Sequence, residues 1–311
     1  MRLDDVMPGA PGGTGDTEVT DLAYDNRRVG PGTLFFCVPG FTRDGHDFAP
    51  DAVARGAVAL VVQRPLGLGL PEIQVASVRA AMAPAAAAFY GDPTAALQTI
   101  GITGTNGKTT TAFLVWALLE ADHRQTGLLG TVKSVIGGVE HEVQRTTPEA
   151  IDLQRTFADM AAHGDTACAM EVSSHALELN RADAIHFAAA IFTNLTQDHL
   201  DFHPSMDAYF AAKRRLFVNP MPPAAMVVNV DDEYGARLAA ELSEPLSFAL
   251  RDERALYRAT SVDTGLSGSR FTIEGPDGAL EVSSPLRGEF NVYNVLGAFV
   301  AARALEVPLA T

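Results

Sequence analysis

Residues 101–111 read GITGTNGKTTT, and this stretch decides the fold. The apolar run Leu97 to Ile102 predicts a strand before it, Gly104 and Gly107 predict a tight turn, and Thr111 to Glu120 has a helical pattern. A strand, a glycine turn and a Lys-Thr pair at a helix start form a phosphate-binding loop. The glycines let backbone N–H groups approach phosphate closely, and the helix N-terminus is positively polarised. The stretch therefore predicts a nucleotide site.

The loop is a short variant of this motif. The pattern G-x-x-x-x-G-K-[ST] requires glycine at position 102, where the chain has Ile102, so the match is to G-T-N-G-K-T. Lys108 supplies a full positive charge, and the Thr109 hydroxyl can ligate Mg²⁺. The alternative is a glycine turn before an ordinary helix, but the flanking strand and helix favour nucleotide binding. The predicted ATP contacts here are Gly104, Thr105, Asn106, Gly107, Lys108, Thr109 and Thr110.

Composition indicates a two-domain α/β protein. The 311 residues are 47% hydrophobic, and 38 acidic against 23 basic residues give a net charge of −15. This charge argues against nucleic-acid or acidic membrane partners. The N-terminus lacks an apolar signal core, so we expect a cytoplasmic protein. Cys37 and Cys168 have no metal-ligand spacing and predict no disulfide.

Gly91-Asp92-Pro93 interrupts the pattern, and we place the domain boundary there. Residues 1–96 predict a small α/β domain, and residues 97–311 predict a parallel sheet with helices on both faces. In the second domain, Thr147 and Pro148 predict a helix start. An antiparallel meander is expected from about Leu246 to Leu286.

Polar residues follow the buried strands where parallel sheets bind ligands. Glu171 ends one strand and could hold Mg²⁺ opposite Thr109, the alternative being a structural carboxylate network. Asp198, His199, Asp201 and His203 share one loop. Without a third close histidine, we favour a Mg²⁺-phosphate role for His199 over zinc.

Two further groups are ambiguous on the residues alone. Ser173, Ser174 and His175 lack the glycines of a nucleophile elbow, so we interpret them as substrate or metal-neighbouring groups. Lys213 stands beside Arg214 and Arg215, which favours a surface lysine.

The combined motifs resemble the Mur ligase family over nearly the whole chain, and within it the branch that adds the third peptide residue in peptidoglycan synthesis. The similar segments are DNRRVGPGTLFFCVPG at 25–40, DGHDF at 44–48, GTNGKTTT at 104–111, TTPEA at 146–150, EVSSHALELNRAD at 171–183, FTNLTQDHLDFHPSMDAYFAAKRRLF at 192–217, VNVDDE at 228–233 and GEFNVYN at 288–294. The resemblance implies that ATP phosphorylates the carboxylate of UDP-N-acetylmuramoyl-L-alanyl-D-glutamate and that an amino acid amine attacks the acyl phosphate. Diaminopimelate is the commonest amino acid in the family, and lysine and ornithine stay open. The implied protein is a monomer.

The resemblance also assigns roles to residues. Lys108, Lys213 and His199 are the implied catalytic residues, and Asn291 and Asn294 join the loop as ATP contacts. The implied Mg²⁺ ligands are Thr109, Glu171, His199 and Lys213, the last as a carbamate, because an ammonium cannot ligate a cation. The implied precursor contacts are Asn26, Phe41, Thr42, Arg43, Thr146, Thr147, Ser173 and Arg181.

Two departures bear on these expectations. Asn26 stands where the family often has serine, and the family's third, Rossmann-like domain is not within these 311 residues. We therefore expect the chain to bind the UDP precursor and ATP but to ligate poorly, as a fragment or a short gene product. The alternatives are a noncatalytic UDP-precursor binding module and a ligase similar to folylpolyglutamate synthase.

Overall fold

The computed structural model describes residues 1–10, 13–143, 145–199 and 201–309. Leu200, in the predicted TQDHLDFHP loop, lies outside these ranges. The chain forms two compact units: Met1–Pro93, Glu149–Ala158 and Leu179–Ala184 make the first, and Thr94–Pro148, Asp159–Glu178 and Ile185–Thr311 make the second. The domain bounds 1–96 and 97–311 stay a prediction. In the division observed, two later segments also belong to the first unit.

The first unit contains a parallel sheet. Its strands, in spatial order, are β1 (Asp21–Ala23), β2 (Thr33–Phe36), β3 (Ala57–Val62) and β4 (Glu72–Gln74). The helices are α1 (Leu3–Val6), α2 (Ala49–Ala54) and α3 (Val78–Phe89), with 3₁₀ turns at Asn26–Arg28 and Gly45–Phe48. Ser77 caps α3 by accepting the Ala80 N–H at 3.2 Å, and the helix continues through Pro84.

The second unit is built on a larger sheet. Its strands are β5 (Gln98–Thr103), β6 (Thr126–Leu129), β7 (Ser134–Ile136), β8 (Val139–His141), β9 (Ala167–Glu171), β10 (Phe187–Phe192), β11 (Ala225–Asn229), β12 (Leu246–Ala249), β13 (Tyr257–Gly265), β14 (Gly268–Gly275) and β15 (Gly278–Ser284). The helices that follow β5 in the chain are α4 (Lys108–Ala121), α5 (Ala150–Ala162), α6 (Ser174–Glu178), α7 (Met206–Val218), α8 (Glu233–Glu241) and α9 (Glu289–Ala304), and Pro93–Ala95 forms a 3₁₀ turn before β5. Helix α5 crosses the division between the units at residue 158.

The strand order is β15-β14-β13-β12-β11-β10-β5-β9-β6-β7-β8. In this spatial order, the seven neighbouring strands β13, β12, β11, β10, β5, β9 and β6 pair in parallel. The pairs at the two edges, β13-β14-β15 and β6-β7-β8, are antiparallel. The predicted α/β class with parallel sheets is confirmed. The expected meander is wrong at its start, because β12 extends the parallel sheet and only β13 to β15 are antiparallel.

Strand β5 lies between β9 and β10. The chain adds β6 and β9 on one side of β5 and then β10 on the other, so the loop after β5 lies at a topological switch point of the sheet. Helices α4 and α9 pack together, and Val115, Leu119, Leu296 and Val300 are fully buried in their shared core. This packing brings the N-terminus of α9 to the phosphate-binding loop.

Helix α5 begins at Ala150 and not at Pro148 with Thr147 as its N-cap, as predicted. The Thr147 hydroxyl donates to the Glu171 carbonyl at 2.9 Å and accepts the Ser173 N–H at 3.2 Å. The side chain is thus committed to a neighbouring strand end and does not cap the helix. None of the helices in the described ranges is both long and apolar enough to cross a bilayer.

Candidate functional site

The phosphate-binding loop has a backbone that only glycine fits at two positions. Gly104 and Gly107 have φ of +150° and +86°. A Cβ at Gly104 would lie 1.9 Å from Thr193 Oγ1, and one at Gly107 would lie 2.3 Å from Asn294 Oδ1. Helix α4 begins at Lys108, directly after this turn, so its free N–H groups open into the loop.

The end of β10 holds the loop in place. Thr105 N–H donates to the Asn194 carbonyl at 2.9 Å, and Asn106 N–H donates to Asn194 Oδ1 at 3.0 Å. The Asn106 carbonyl accepts from the Thr193 hydroxyl at 2.7 Å. The loop is therefore fixed by both main-chain and side-chain bonds.

Two lysines converge on one carbonyl of the loop. Lys108 Nζ donates to the carbonyls of Gly104 and Thr105, each at 2.9 Å, and Lys213 Nζ donates to the Gly104 carbonyl at 2.8 Å. Burial lowers the pKa of Lys213 well below 10.5, and the Lys108 ammonium lowers it further, against an opposing effect of Asp198. Burial also lowers the pKa of Lys108. Two amine groups thus lie together where phosphates would bind, and burial disfavours the charged form of each.

Glu171 lies beside the loop at the end of β9 and is 1% exposed. Its Oε2 accepts from the Thr109 hydroxyl at 3.0 Å and from the Thr131 hydroxyl at 3.2 Å, and its Oε1 accepts the Thr131 N–H at 2.7 Å. The predicted Thr109–Glu171 pair is therefore brought together as neighbouring oxygen groups.

His199 and Lys213 share an aromatic neighbour. Tyr209 has its ring 4.6 Å from Lys213 Nζ and 5.9 Å from the His199 ring, and its hydroxyl lies 3.2 Å from Thr105 Oγ1. His199 has φ +52° and also contacts the His175 ring at 5.1 Å. Two of the implied Mg²⁺ ligands, His199 and Lys213, thus lie against one buried tyrosine.

The zinc alternative gains no support from the part of the chain that the structure describes. Within the described ranges, no group of three or more His, Cys, Asp and Glu side chains could hold a metal ion. His203 is buried and stacks on Tyr209 at 5.0 Å, and burial lowers its pKa. Its ring is part of an aromatic cluster around Tyr209.

Asn291 and Asn294 lie at the start of α9. Asn294 Nδ2 donates to Asn291 Oδ1 at 3.0 Å, and Asn294 Oδ1 lies 3.4 Å from the Thr111 hydroxyl that donates to it. Asn291 Nδ2 donates to the Arg287 carbonyl at 2.9 Å. Asn294 is thus packed against the loop helix, while Asn291 is half-buried.

Three of the predicted precursor contacts lie next to Glu171. Thr146 Oγ1 is 3.1 Å from Thr131 Oγ1, and the Thr147 hydroxyl lies 3.4 Å from Ser173 Oγ. Ser173 Oγ also accepts the Ala176 N–H at 3.2 Å, which fixes it at the start of α6. These hydroxyls form a group at the carboxyl end of β9.

Arg181 belongs to the first unit and pairs with a buried carboxylate. Its guanidinium lies 2.8 Å from Glu149 Oε1, and Arg79 donates to Glu149 Oε2 at 3.2 Å. Glu149 is 5% exposed. The predicted substrate arginine is therefore held in a fixed position by an ion pair.

The remaining predicted contacts lie on turns of the first unit. Asn26 Nδ2 donates to Asp51 Oδ2 at 2.7 Å. Phe41, Thr42 and Arg43 are exposed in one turn, with Phe41 77% exposed. Such exposure leaves these three side chains accessible to a ligand.

Five residues of these networks were not singled out as functional from the sequence: Thr131, Glu149, Thr193, Asn194 and Tyr209. Thr131, Thr193 and Asn194 follow β6 or β10, and the strand-end rule could have found them. Glu149 and Tyr209 carry no comparable local signal, because their partners are distant in the chain.

The donor set at Thr109 and Glu171 fits Mg²⁺. A hydroxyl and a carboxylate are hard oxygen ligands, which Mg²⁺ prefers together with phosphate oxygens and water. The Thr131 amide holds Glu171 Oε1, which fixes the carboxylate before any ligand binds. The site can therefore place a cation next to a bound phosphate.

Comparison with known proteins matches both parts of the chain to one family. Residues 102–302 match the model described as "Mur ligase middle domain", and residues 18–90 match "Mur ligase family, catalytic domain".

Curated relatives and a solved structure agree with these matches. The UDP-N-acetylmuramoyl-L-alanyl-D-glutamate--2,6-diaminopimelate ligases of Solibacter usitatus and Halalkalibacterium halodurans are 46% and 43% identical. The alignments cover 91% and 95% of this chain and 58% and 61% of the relatives. A solved structure of a ligase with the same name matches with a TM-score of 0.89 and 27% identity, over 99% of this chain and 64% of that chain. The chain thus spans about three-fifths of the length of these relatives.

Proposed function

The chain belongs to the Mur ligase family, and on this premise we propose that it carries the nucleotide and precursor sites of an ATP-dependent ligase. The proposed reaction joins an amino acid to UDP-N-acetylmuramoyl-L-alanyl-D-glutamate in peptidoglycan synthesis. The names of the relatives support 2,6-diaminopimelate as that amino acid. The proposal implies a location in the cytoplasm, where ATP and the nucleotide-linked precursor are present. It also implies a monomer, and sedimentation would test that oligomeric state.

In the proposed reaction, the γ-phosphoryl group of ATP moves to a carboxylate oxygen of the precursor, and ADP leaves. The amine then attacks the acyl carbon, an amide bond forms, and phosphate departs with a proton released from nitrogen. Lys108 would exchange the carbonyls of Gly104 and Thr105 for phosphate oxygens, which are better partners for an ammonium. The backbone N–H groups at the start of α4 would bind the same phosphates.

Lys213 is proposed to work as a carbamate. A neutral amine attacks CO₂, a C–N bond forms, and one proton leaves, so a cation becomes an anionic oxygen ligand. The lowered pKa of Lys213 supports this step, because it increases the neutral fraction at physiological pH. Mg²⁺ would be held by Thr109 and Glu171, with His199 and the Lys213 carbamate at a second position, and would neutralise phosphate charge.

The single observation that carries the proposal is the buried Glu171 carboxylate, hydrogen-bonded to the Thr109 hydroxyl of the phosphate loop. We expect Glu171→Gln to weaken binding of a non-hydrolysable ATP analogue with Mg²⁺ by at least tenfold, or about 1.4 kcal/mol. Without Mg²⁺ the change should be small, because a neutral amide chiefly loses the interaction with the cation. Isothermal titration with and without Mg²⁺ measures both values.

Glu140→Gln is the matched control, because Glu140 pairs with Lys133 on the exposed β7–β8 hairpin. It should bind the analogue as the unmodified chain does. Equal Mg²⁺-dependent binding by Glu171→Gln and the unmodified chain would refute the metal role. Titration of the chain with the UDP dipeptide tests the precursor site, and preference for a folate substrate would instead favour the folylpolyglutamate-type alternative.

A further inference from the structure

Thr131 occupies a position between the two groups of predicted ligand contacts in the second unit. It follows β6, and its main chain and side chain both bind Glu171: the amide donates to Oε1 at 2.7 Å and the hydroxyl donates to Oε2 at 3.2 Å. The same hydroxyl lies 3.1 Å from Thr146 Oγ1. One side chain thus touches both the proposed metal carboxylate and a proposed precursor contact.

The chemistry of these groups decides which one donates and which one accepts in each hydrogen bond. An ionised carboxylate only accepts, and a hydroxyl has one proton to donate and lone pairs to accept. When Thr131 donates to Glu171, Thr146 can only donate to Thr131. The Thr146 oxygen then keeps its lone pairs for a donor on a ligand, so its orientation depends on Glu171.

The contacts of Glu171 make this arrangement sensitive to the nucleotide site. The Thr109 and Thr131 hydroxyls share Oε2, at 3.0 and 3.2 Å. A cation bound to this carboxylate would weaken the hydrogen bond that Oε2 accepts from the Thr131 hydroxyl. The hydrogen bond between Thr131 and Thr146 would change with it. Hydrogen bonds that share an atom polarise one another, and this chain of contacts begins at a buried group, since Glu171 is 1% exposed while Thr131 is exposed.

We propose that Thr131 is a positioning residue that couples the nucleotide site to the precursor site, so that each ligand binds more tightly when the other is present. The inference rests on the proposed function, which gives Glu171 to the nucleotide and its cation and Thr146 to the precursor. Because coupling between two ligands is reciprocal, it can be measured from either side.

Thr131→Val is the informative substitution, because it removes the hydroxyl but keeps the shape of the side chain. It also leaves in place the hydrogen bond from the residue 131 backbone N–H to Glu171 Oε1. The Thr131 side chain is exposed, so the fold should tolerate the change. Thr131→Ser restores the hydroxyl. Thr260→Val is the matched control, because the Thr260 hydroxyl also donates to a glutamate, Glu274, at 2.9 Å on the β13–β14 pair.

The experiment is a two-ligand titration of the 311-residue chain in Mg²⁺. The Kd of the UDP dipeptide is measured alone and with saturating non-hydrolysable ATP analogue, and the ratio of the two values is the coupling factor. We expect a factor of about 5 or more for the unmodified chain, Thr131→Ser and Thr260→Val. For Thr131→Val the factor should fall to below about 2, with either ligand alone bound within about threefold of the unmodified chain.

The outcomes separate this inference from the proposed function. Binding of both ligands with no coupling in the unmodified chain, or full coupling in Thr131→Val, overturns the role of Thr131 and leaves the proposed function standing. Failure of the unmodified chain to bind either ligand overturns both. Thermal unfolding of each variant is recorded, and if Thr131→Val does not fold, Thr146→Val takes its place, since it breaks the same chain of hydroxyls and should also lose the coupling.

Discussion

Lys213 is an amine placed where water does not reach, since it is 1% exposed. Its hydrogen-bond acceptor, the Gly104 carbonyl, also accepts from Lys108 at 2.9 Å. Removing Lys213 would therefore leave that carbonyl with a partner. The lysine is then a net cost to the folded state, because burial disfavours its charge and nothing in the loop depends on its donor alone.

This cost can be measured. Lys213→Met should raise the free energy of unfolding by about 1 to 2 kcal/mol at pH 7 in CO₂-free buffer, because a buried ionisable group is replaced by an apolar one of similar size. Urea denaturation gives the value. Lys133→Met is the control, because Lys133 is partly exposed, pairs with Glu140 and lies over the Trp116 ring, so its replacement should not raise the free energy of unfolding. Destabilisation by Lys213→Met would contradict the argument.

The pH dependence of this gain has a definite sign. The unfolded chain keeps a Lys213 pKa near 10.5, and the folded chain has a lower one. Between these two values the unfolded state binds more protons, so the unmodified protein becomes more stable as pH rises. The advantage of Lys213→Met should therefore shrink between pH 7 and pH 10, and a constant advantage would show that the amine is not desolvated.

The residues next to Lys213 in the sequence gave a wrong prediction of its burial. Its neighbours Arg214 and Arg215 suggested a surface position, yet the buried side of α7 faces a loop that is 109 residues away in the chain. The family resemblance gives Lys213 a role through the motif around it, and that role stays a prediction. Burial set by such distant packing cannot be read from a window of neighbouring residues.

A carboxylate that follows β11 contacts the start of α9. Asp231 accepts backbone N–H groups of Leu250, Arg251 and Asp252 at 2.7 to 2.9 Å, and the Tyr293 hydroxyl at 2.7 Å. Burial raises its pKa, but these hydrogen bonds outweigh burial and lower it. Asp231 thus joins the sheet to the helix that carries the predicted asparagine contacts.

Asp231→Asn should lower the free energy of unfolding by about 2 to 3 kcal/mol, since an amide accepts these bonds more weakly than a carboxylate. It should also weaken binding of the ATP analogue, because Asn291 and Asn294 sit on the loosened end of α9. Urea denaturation and titration measure the two effects. Asp277→Asn is the control: it breaks an exposed pair with Arg303 at the other end of α9 and should lower the free energy of unfolding much less than Asp231→Asn does. Equal effects of both substitutions would contradict a specific role for Asp231.

Elements with strong local signals were predictable, and elements set by long-range packing were not. Strand β3 coincides with a local signal, because Ala57–Val62 is a continuous apolar run, AVALVV, that follows Gly56. The expected start of α5 is wrong because Thr147 bonds across to Glu171, and the direction of β12 depends on its neighbour in the sheet. Neither partner is near in sequence.

The first unit draws on three separate segments of the chain. Ile151 is 1% exposed within its apolar core. Asp152 accepts from the Tyr24 hydroxyl at 2.5 Å, and Arg155 donates to the Tyr90 hydroxyl at 2.8 Å. The segment Glu149–Ala158 therefore supplies both apolar and polar contacts that residues 1–93 need.

A fragment of residues 1–96 should consequently lack a cooperative unfolding transition, although it contains the whole β1–β4 sheet. It would leave the Ile151 site empty and the partners of Asp152 and Arg155 unpaired. Near-ultraviolet circular dichroism through a urea titration tests this, with the 311-residue chain as the control. A sharp transition in the fragment would show that the predicted boundary is an independent folding boundary.

Sequence pattern could mark where the chain leaves the first unit but not where it returns. Gly91-Asp92-Pro93 is a strong break, and the first compact segment ends at Pro93. The later segments Glu149–Ala158 and Leu179–Ala184 carry no such signal, since part of one lies inside the continuous helix α5.

The scattered origin of the first unit sets an order of events during synthesis. Its sheet leaves the ribosome early, but its last segment ends at Ala184, about 90 residues later. At about 5 to 20 residues per second, the nascent chain waits roughly 5 to 20 s before Ala150, Ile151 and Ala184 have all been added to its apolar core. Chaperones that bind apolar segments have that interval in which to act on it.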